Sequence, residues 1–431
     1  MNEELSGINW PEIVGNGPVD EMWTGFRDLL LTLVDRHIPL YTEVKKRKTR
    51  TISKETIKEM KARNESWRDY RRWPTDDKLR RYKQIRNRVN KMVRDDHSAQ
   101  RSKTIESFKG RPKKFFSYIR QLQMVKDRVV QLKRRDGSLT ANDAEAAEEL
   151  CLVFKDVFTM EGSFDAPQKD LSGAPTPKEA GQKDKSPADV QFDEKAVRER
   201  LLRLDPDKSP GPDGLHPHLL KACADNLAKP IAMIFQKSFD TAELPVDWKL
   251  ANVCPIFKKG SRNDAGNYRP VSLTSVLCKI MEAIVKDRLM EFVEESNIIS
   301  NAQHGFRKGK SCLTNLLESF EKWTEALDNG YGIDVIYLDY RKAFDTVPHQ
   351  RLLLKLRSFG ISEKYVKWIA SFLQGRRMRV GVRGQYSGWS DVVSGVPQGS
   401  VLGLLLFLLY VNDLPDWIVN SMRMFADDTK V

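Results

Sequence analysis

Two acidic boxes, each joined to an apolar run, constrain this chain more than any other feature. The first is Val335-Ile336-Tyr337-Leu338-Asp339-Tyr340-Arg341-Lys342-Ala343-Phe344-Asp345. Val335 to Leu338 reads as a short buried strand. It ends on Asp339, a carboxylate that a strand delivers rigidly to a sheet edge. Pro348 suits the first turn of a following helix. Leu352, Leu353, Leu356 and Phe359 share one face of it, and Gly360 ends it. The second box is Phe425-Ala426-Asp427-Asp428. Adjacent carboxylates repel, and burial raises the pKa of at least one. Such a pair is tolerated chiefly at a surface, in a turn or around a cation. With Asp339 nearby, the three carboxylates supply the hard oxygens that Mg²⁺ takes. Two such ions ~4 Å apart clamp the attacking and leaving oxygens of a phosphoryl displacement. Singly, each box also fits an ordinary surface turn or a helix cap.

A third segment, Ser394-Gly395-Val396-Pro397-Gln398-Gly399-Ser400, has glycines on both sides of Pro-Gln. Glycine lets backbone approach a ligand closely, and Gln398 offers a donor and an acceptor. A helix over Val401 to Val411, apolar all round and so buried, is predicted next. A plain strand-to-helix turn fits the same residues.

The formal net charge of +13 favours a polyanionic partner, nucleic acid or an anionic membrane surface. The run Val401–Val411 is too short to span a bilayer, and the polar, acidic N-terminus is not a signal peptide. Nucleic acid is therefore the expected partner, no membrane is expected, and the location is intracellular, cytoplasmic or nuclear, not secreted. The five cysteines, Cys151, Cys223, Cys254, Cys278 and Cys312, form no CxxC pair and no zinc spacing with the histidines. They read as free thiols. His216 and His218 flank a proline in a surface turn.

Along the chain, residues 1 to about 43 predict a small packed helical piece carrying Trp23, Phe26, Leu29, Leu30 and Val34. From Lys45-Lys46-Arg47-Lys48 to about residue 126 the chain is dense in Lys and Arg. Trp67, Tyr70, Trp73, Tyr82, Phe115, Phe116 and Tyr118 are interleaved, and Pro74 and Pro112 divide helical segments. Cations contact phosphates and aromatics stack on bases, although a charge run is also the ordinary solvated helix face. Residues 1–126 are expected to form a basic helical extension. Residues 127–160 hold a turn at Asp136-Gly137 and a helix with Thr140 as N-cap, whose stripe of Ala147, Leu150, Cys151, Phe154, Val157 and Phe158 needs a partner surface. Residues 161–190 read as a flexible linker. Beyond residue 191 helices and strands alternate, with 191–237 leading into a catalytic region at 238–431.

Taken in order, these segments resemble the reverse transcriptase of non-long-terminal-repeat retrotransposons, of the chicken-repeat and jockey kinds. The series is Lys208-Ser209-Pro210-Gly211-Pro212-Asp213-Gly214, Pro255-Ile256-Phe257-Lys258-Lys259-Gly260, Asn267-Tyr268-Arg269-Pro270-Val271-Ser272-Leu273 and Gln303-His304-Gly305-Phe306-Arg307-Lys308-Gly309. The Asp339 segment, the Ser394–Ser400 segment and the Phe425–Asp428 box complete it. The resemblance implies an α/β (α+β) right-hand polymerase with fingers and an antiparallel palm sheet, and the thumb is expected to be absent because the match stops just past Asp428. It implies RNA-directed DNA polymerase activity on an RNA template, a DNA primer and deoxynucleoside triphosphates. Two Mg²⁺ ions, or Mn²⁺, would be held by Asp339, Asp427, Asp428 and the Tyr340 carbonyl. Lys258 and Arg269 match positions that contact the triphosphate, where an ammonium and a guanidinium complement phosphate. Gln398 and Gly399 would line the nucleotide pocket. Phe344 matches the aromatic that excludes a ribose 2′-hydroxyl, though core packing suits it too. Arg307 and Lys308 match residues on template or incoming nucleotide, and Asp345 is expected as a helix cap rather than a metal ligand.

Three departures stand beside the match. Thr429, Lys430 and Val431 alone follow Asp428, so the turn is expected to lack its return strand. No endonuclease precedes the polymerase, and Gly403-Leu404 stands where the family has Gly-Pro. The alternative to an enzyme is thus a non-catalytic remnant that binds nucleic acid through its basic helices and fingers.

Overall fold

The computed structural model describes residues 1–39, 52–108, 115, 116, 118, 119, 131–161 and 186–431. Contacts divide the chain into two units, Met1–Ile38 with Val129–Val431, and Pro39–Arg128. The chain opens on α1 (Asn2–Ser6), α2 (Trp10–Val14) and α3 (Val19–His37). On α3, Trp23, Phe26, Leu30 and Leu33 recur at helical spacing and are buried. Trp23 meets Trp248 edge-on at 5.2 Å and donates its indole N–H to Asp247 at 2.8 Å. The first 38 residues therefore share the core of the large unit, whereas the sequence grouped them with the basic stretch up to 126.

Within Pro39–Arg128, α4 (Lys54–Arg72) and α5 (Asp76–Glu106) pair. Ser53 and Thr75 cap them, and Asp96 reaches back to the Ser53 N–H (2.8 Å) and the Thr56 hydroxyl (2.7 Å). Those two hydrogen bonds hold the Asp96 carboxyl below its usual range. Val89 is buried, and Trp67 packs on Tyr82 at 4.8 Å and on Tyr70 at 5.6 Å. Residues 39–128 contain 29 Lys and Arg against 11 Asp and Glu, a net +18, so the rest of the chain carries −5. The basic character of the protein is concentrated here. The Lys45–Lys48 run and Pro112 lie outside the described residues.

In the large unit, α6 (Asp143–Lys155) is capped by Asn142, which accepts from the Glu145 N–H. Thr140 is not the cap, because its hydroxyl accepts the Leu132 N–H at 2.9 Å. The stripe Ala147, Leu150, Cys151 and Phe154 finds its partner in Val253, Tyr268, Met378, Val380 and Val382. Those residues belong to one sheet that includes β1 (Leu250–Phe257), β2 (Tyr268–Leu273) and the stretch Arg376–Val382. Strands β1 and β2 are antiparallel, Phe257 facing Tyr268. Of the expected linker, residues 162–185 lie outside the described residues, while Ala188 already accepts the Tyr365 hydroxyl at 2.7 Å.

The helices α7 (Glu194–Leu202), α8 (Pro217–Ala222), α9 (Ala224–Thr241), α10 (Val276–Glu295) and α11 (Cys312–Asp328) follow. Then come β3 (Tyr337–Leu338), α12 (His349–Ser358), α13 (Glu363–Leu373), β4 (Arg376–Val382), β5 (Gln385–Tyr386), β6 (Ser390–Val392), α14 (Gly403–Tyr410), β7 (Arg423–Phe425) and β8 (Asp428–Lys430). The first sheet runs β2-β1-β4-β5 with β6 on β4, and β1 and β4 are parallel. The second runs β3-β8-β7 and is antiparallel throughout. The fold is thus mixed α+β, with antiparallel pairs in both sheets. One buried cluster runs from Leu5 to Ala426 through α9, α10, α13 and α14, so no core boundary falls at 237. Helix α14 is buried nearly all round, as its unbroken apolar sequence predicts.

One strand departs from expectation. Of Val335–Leu338 only Tyr337 and Leu338 pair as strand, and Ile336 and Tyr337 are exposed. Among the described residues β3 has a neighbour on one side alone, so its outer face stays open. All five cysteines are free. No helix among the described residues is long and apolar enough to cross a membrane.

Candidate active site

The second sheet gathers the acidic residues. Leu338 pairs with Thr429, and the same register continued by one residue sets Asp339 opposite Asp428. Phe425 pairs with Asp428, so Ala426 and Asp427 form the tip between β7 and β8. Residues opposite each other in such a ladder lie ~5 Å apart. Asp339 and Asp428 are exposed and Asp427 is half-buried. Burial raises the Asp427 carboxyl above the usual range, the charges of Asp428 and Asp339 add to this, and Arg269 opposes it. The Asp427 carboxyl therefore feels the charges of both other acids. The expected loss of a return strand is corrected: Asp428–Lys430 pairs with both β7 and β3, and Val431 exchanges backbone hydrogen bonds with Ile336 at 2.9 and 3.0 Å.

The tip is held by residues whose role was not legible. Ala426 sits at φ +57, a conformation that a residue with a Cβ adopts only under constraint. Gln303, 2% exposed, supplies that constraint. Its Oε1 accepts the Ala426 N–H at 2.9 Å and the Gly305 N–H at 2.8 Å, and its Nε2 donates to the Ala426 carbonyl at 3.3 Å. A Cβ on Gly305 would stand 2.4 Å from the Ala426 nitrogen, so glycine is required there. His304 and Asn315 each donate to the Met424 carbonyl, at 2.9 and 3.0 Å. The signal was present as the Gln303-His304-Gly305 motif, but its contact lies more than a hundred residues away.

The Ser394–Ser400 loop packs on the segment that follows Asp339. The Val396 N–H donates to the Phe344 carbonyl, the Gly395 N–H to the Val347 carbonyl, and the Ser394 hydroxyl to the Asp345 carbonyl, each at 2.8 Å. His349 donates its Nε2–H to the Gly395 carbonyl at 2.8 Å, and burial lowers the pKa of that imidazole. Asp345 is not a helix cap: Pro348 begins α12, and both Asp345 oxygens accept from Gln398 Nε2 at 3.0 Å. Burial raises the Asp345 carboxyl, and the Gln398 bond, Lys342 and Arg269 oppose that rise. Gln398 also accepts the Ser272 N–H at its carbonyl (2.9 Å), which seats the loop on β2.

Arg269 on β2 and Lys258 at the end of β1 are exposed, joined where the Lys258 N–H meets the Asn267 carbonyl at 2.9 Å. The Arg269 charge opposes the rise in pKa of both Asp345 and Asp427. Tyr340 is 40% exposed. Phe344 is half-buried and stacks on Phe407 at 4.0 Å. Arg307 donates to the Ser300 carbonyl at 2.9 Å, and with Lys308 it lines a cavity beside Met290, Val293 and Glu294. Among the described residues no three acidic, histidine or cysteine side chains already close around a single point. The donor set still fits a divalent cation: three carboxylates share one sheet end, and the one at the tip is pushed up first by burial and then by the charges of the other two.

Residues 256–431 match the family described as reverse transcriptase (RNA-dependent DNA polymerase). The probable RNA-directed DNA polymerase from transposon X-element of Drosophila melanogaster is 32% identical over 246 residues, 56% of this chain and 27% of that protein. The RNA-directed DNA polymerase from mobile element jockey of the same species is 33% identical over 244 residues, 54% and 26% of the two chains. The Pol polyprotein of the type-1 retrotransposable element R1 of Bradysia coprophila is 29% identical over 248 residues, 56% and 24%. The chain spans about a quarter of the length of these relatives. The stretch from Ile256 to Val431, in which both acidic boxes and the Gln398 loop lie, is thus similar to reverse transcriptases, among them the RNA-directed DNA polymerases of mobile elements.

Proposed function

We infer that this chain is an RNA-directed DNA polymerase that adds deoxynucleotides to a DNA primer paired with an RNA template. The observation that carries the reading is the register setting Asp339 across from Asp428, with Asp427 at the tip and Arg269 acting on it. In this reading the antiparallel sheet β3-β8-β7 is the palm, and β1 and β2 belong to the fingers. Asp339, Asp427, Asp428 and the Tyr340 carbonyl would hold two Mg²⁺ ions, which Mn²⁺ could replace. Metal bound there would supply charge to make the primer hydroxyl more acidic and to stabilise the departing pyrophosphate.

The protein's own groups position the reactants. Arg269 and Lys258 grip the triphosphate from β2 and β1. Gln398 and Gly399 line the nucleotide pocket, their loop fixed on Asp345 and Ser272. Phe344, braced by Phe407, closes the side where a 2′-hydroxyl would sit. Arg307 and Lys308 are assigned to template. The primer 3′-oxygen forms a bond to the α-phosphorus, the bond to pyrophosphate breaks, and the hydroxyl proton leaves to solvent. The net +18 of residues 39–128 suits phosphate backbones.

Primer extension on poly(rA)/oligo(dT) with Mg²⁺ tests this. Wild type should extend the primer and Asp427→Asn/Asp428→Asn should not. Equal signals from the two would refute the reading.

A further inference from the structure

Glu282 is a carboxylate that the site described above does not use. It lies on α10, 1% exposed. Its Oε2 accepts three donors: the Ser400 hydroxyl at 2.5 Å, the Val401 N–H at 2.8 Å and the Leu402 N–H at 3.1 Å. Cys278 Sγ approaches its Oε1 at 3.5 Å. The Ser400 hydroxyl in turn accepts the Gly403 N–H at 2.8 Å, the first residue of α14. Two amides just ahead of α14 thus meet the buried carboxyl group, and the first amide of the helix meets the Ser400 hydroxyl. Burying a carboxylate is costly unless several donors converge on it. Here the donors converge from the segment that directly follows Gln398 and Gly399.

We propose that Glu282 is a positioning residue for nucleotide selection: it anchors Ser400–Leu402 and so holds Gln398 and Gly399 against the incoming nucleotide. The loop then has three fixed points. Asp345 takes the Gln398 side chain, Ser272 takes the Gln398 backbone, and Glu282 takes the residues beyond. Loss of the third frees the C-terminal side of the pocket while leaving Asp339, Asp427 and Asp428 untouched. This inference rests on the polymerase reading for its consequence, but not for the anchor itself.

The test compares wild type with Glu282→Ala, Glu282→Gln and Ser400→Ala in the full chain by two readouts. In hydrogen exchange, peptides covering residues 394–402 should exchange faster in Glu282→Ala. Glu282→Gln, which keeps an acceptor, should restore most of the protection. In single-nucleotide extension, KM for dTTP should rise roughly five- to tenfold, the factor a lost side-chain cap is worth, while kcat and primer–template affinity hold. Ser400→Ala removes one of the three bonds without emptying the core and should show the same pattern more weakly. Unchanged exchange at 394–402, or exchange raised evenly across α10 and α14 with KM constant, would overturn the proposal. A wild type that extends no primer would sink the polymerase reading, and the exchange result would still decide the anchor.

Discussion

Gly399→Ala should damage nucleotide use far more than it damages the fold. Gly399 sits at φ +112, and a Cβ built there lies 2.6 Å from the Ser272 carbonyl oxygen. Reaching even the tight contact distance of 3.0 Å needs a shift of about 0.4 Å, and ordinary contact near 3.4 Å needs about 0.8 Å. The Ser272 N–H to Gln398 carbonyl bond, 2.9 Å long, spans the same gap. The same displacement stretches it to about 3.3–3.7 Å, at or past the useful limit. Backbone strain of ~1–3 kcal/mol and a lost hydrogen bond of ~1 kcal/mol together come to ~2–4 kcal/mol. At ~1.4 kcal/mol per factor of ten, kcat/KM for dTTP should fall by roughly 30- to 1000-fold. The control is Gly384→Ala, in the turn between β4 and β5, where φ is +83 and nothing stands within 4 Å of the new Cβ. It carries strain without a clash at the pocket, so it should lower the melting temperature and leave kcat/KM near wild type. The assay is single-nucleotide primer extension on poly(rA)/oligo(dT). A Gly399→Ala enzyme within twofold of wild type would refute the reasoning.

Three further outcomes are expected. The folded-state pKa of Asp345 is raised, chiefly by burial, so its contribution to stability is present at low pH and lost as pH rises through that value. Asp345→Asn removes this dependence: urea unfolding from pH 3 to 8 should show the variant gaining on wild type above about pH 4 and then holding a constant difference, and parallel profiles would contradict it. Phe344→Ala opens the pocket side braced by Phe407, so incorporation of UTP relative to dTTP should rise about tenfold or more; an unchanged ratio in competitive extension would assign Phe344 to the core alone. Trp23→Ala removes the Trp248 contact and the bond to Asp247, and should cost ~3–5 kcal/mol by chemical denaturation; a loss below about 1 kcal/mol would contradict placing the first helices in the main core.

The parts legible from sequence were those with a local period or a short motif. The apolar stripe of α6, the all-round apolar α14 and the helix after Pro348 follow from side-chain spacing within one element. The meeting of Asp339 with Asp427 and Asp428 was anticipated from the two boxes, in each of which acidic side chains follow apolar residues, and from the resemblance those boxes carry. What escaped was contact between distant elements. Nothing near Gln303 announces that its amide clamps Ala426, and nothing near Asp345 announces that Gln398 takes both of its oxygens. The helix cap at Asn142 in place of Thr140 turned on a pair of bonds between Thr140 and Leu132, eight residues apart. The return strand was underestimated because three residues are short for a strand, yet β8 is flanked on both sides, and Thr429 and Lys430 are each paired twice. The first helices were grouped with the basic stretch by proximity in sequence, whereas Trp23 and Phe26 belong to a core built mostly from residues beyond 190.

Divalent-cation affinity in single carboxylate variants bears most directly on the acids. Mn²⁺ binding followed by electron paramagnetic resonance, in the presence of dTTP and primer–template, should weaken roughly tenfold or more in each of Asp339→Asn, Asp427→Asn and Asp428→Asn, the scale on which altering a metal site acts. Mn²⁺ affinity that is indifferent to Asp339→Asn would contradict the account, because strand β3 would then bring its acid to β8 for some purpose other than holding metal.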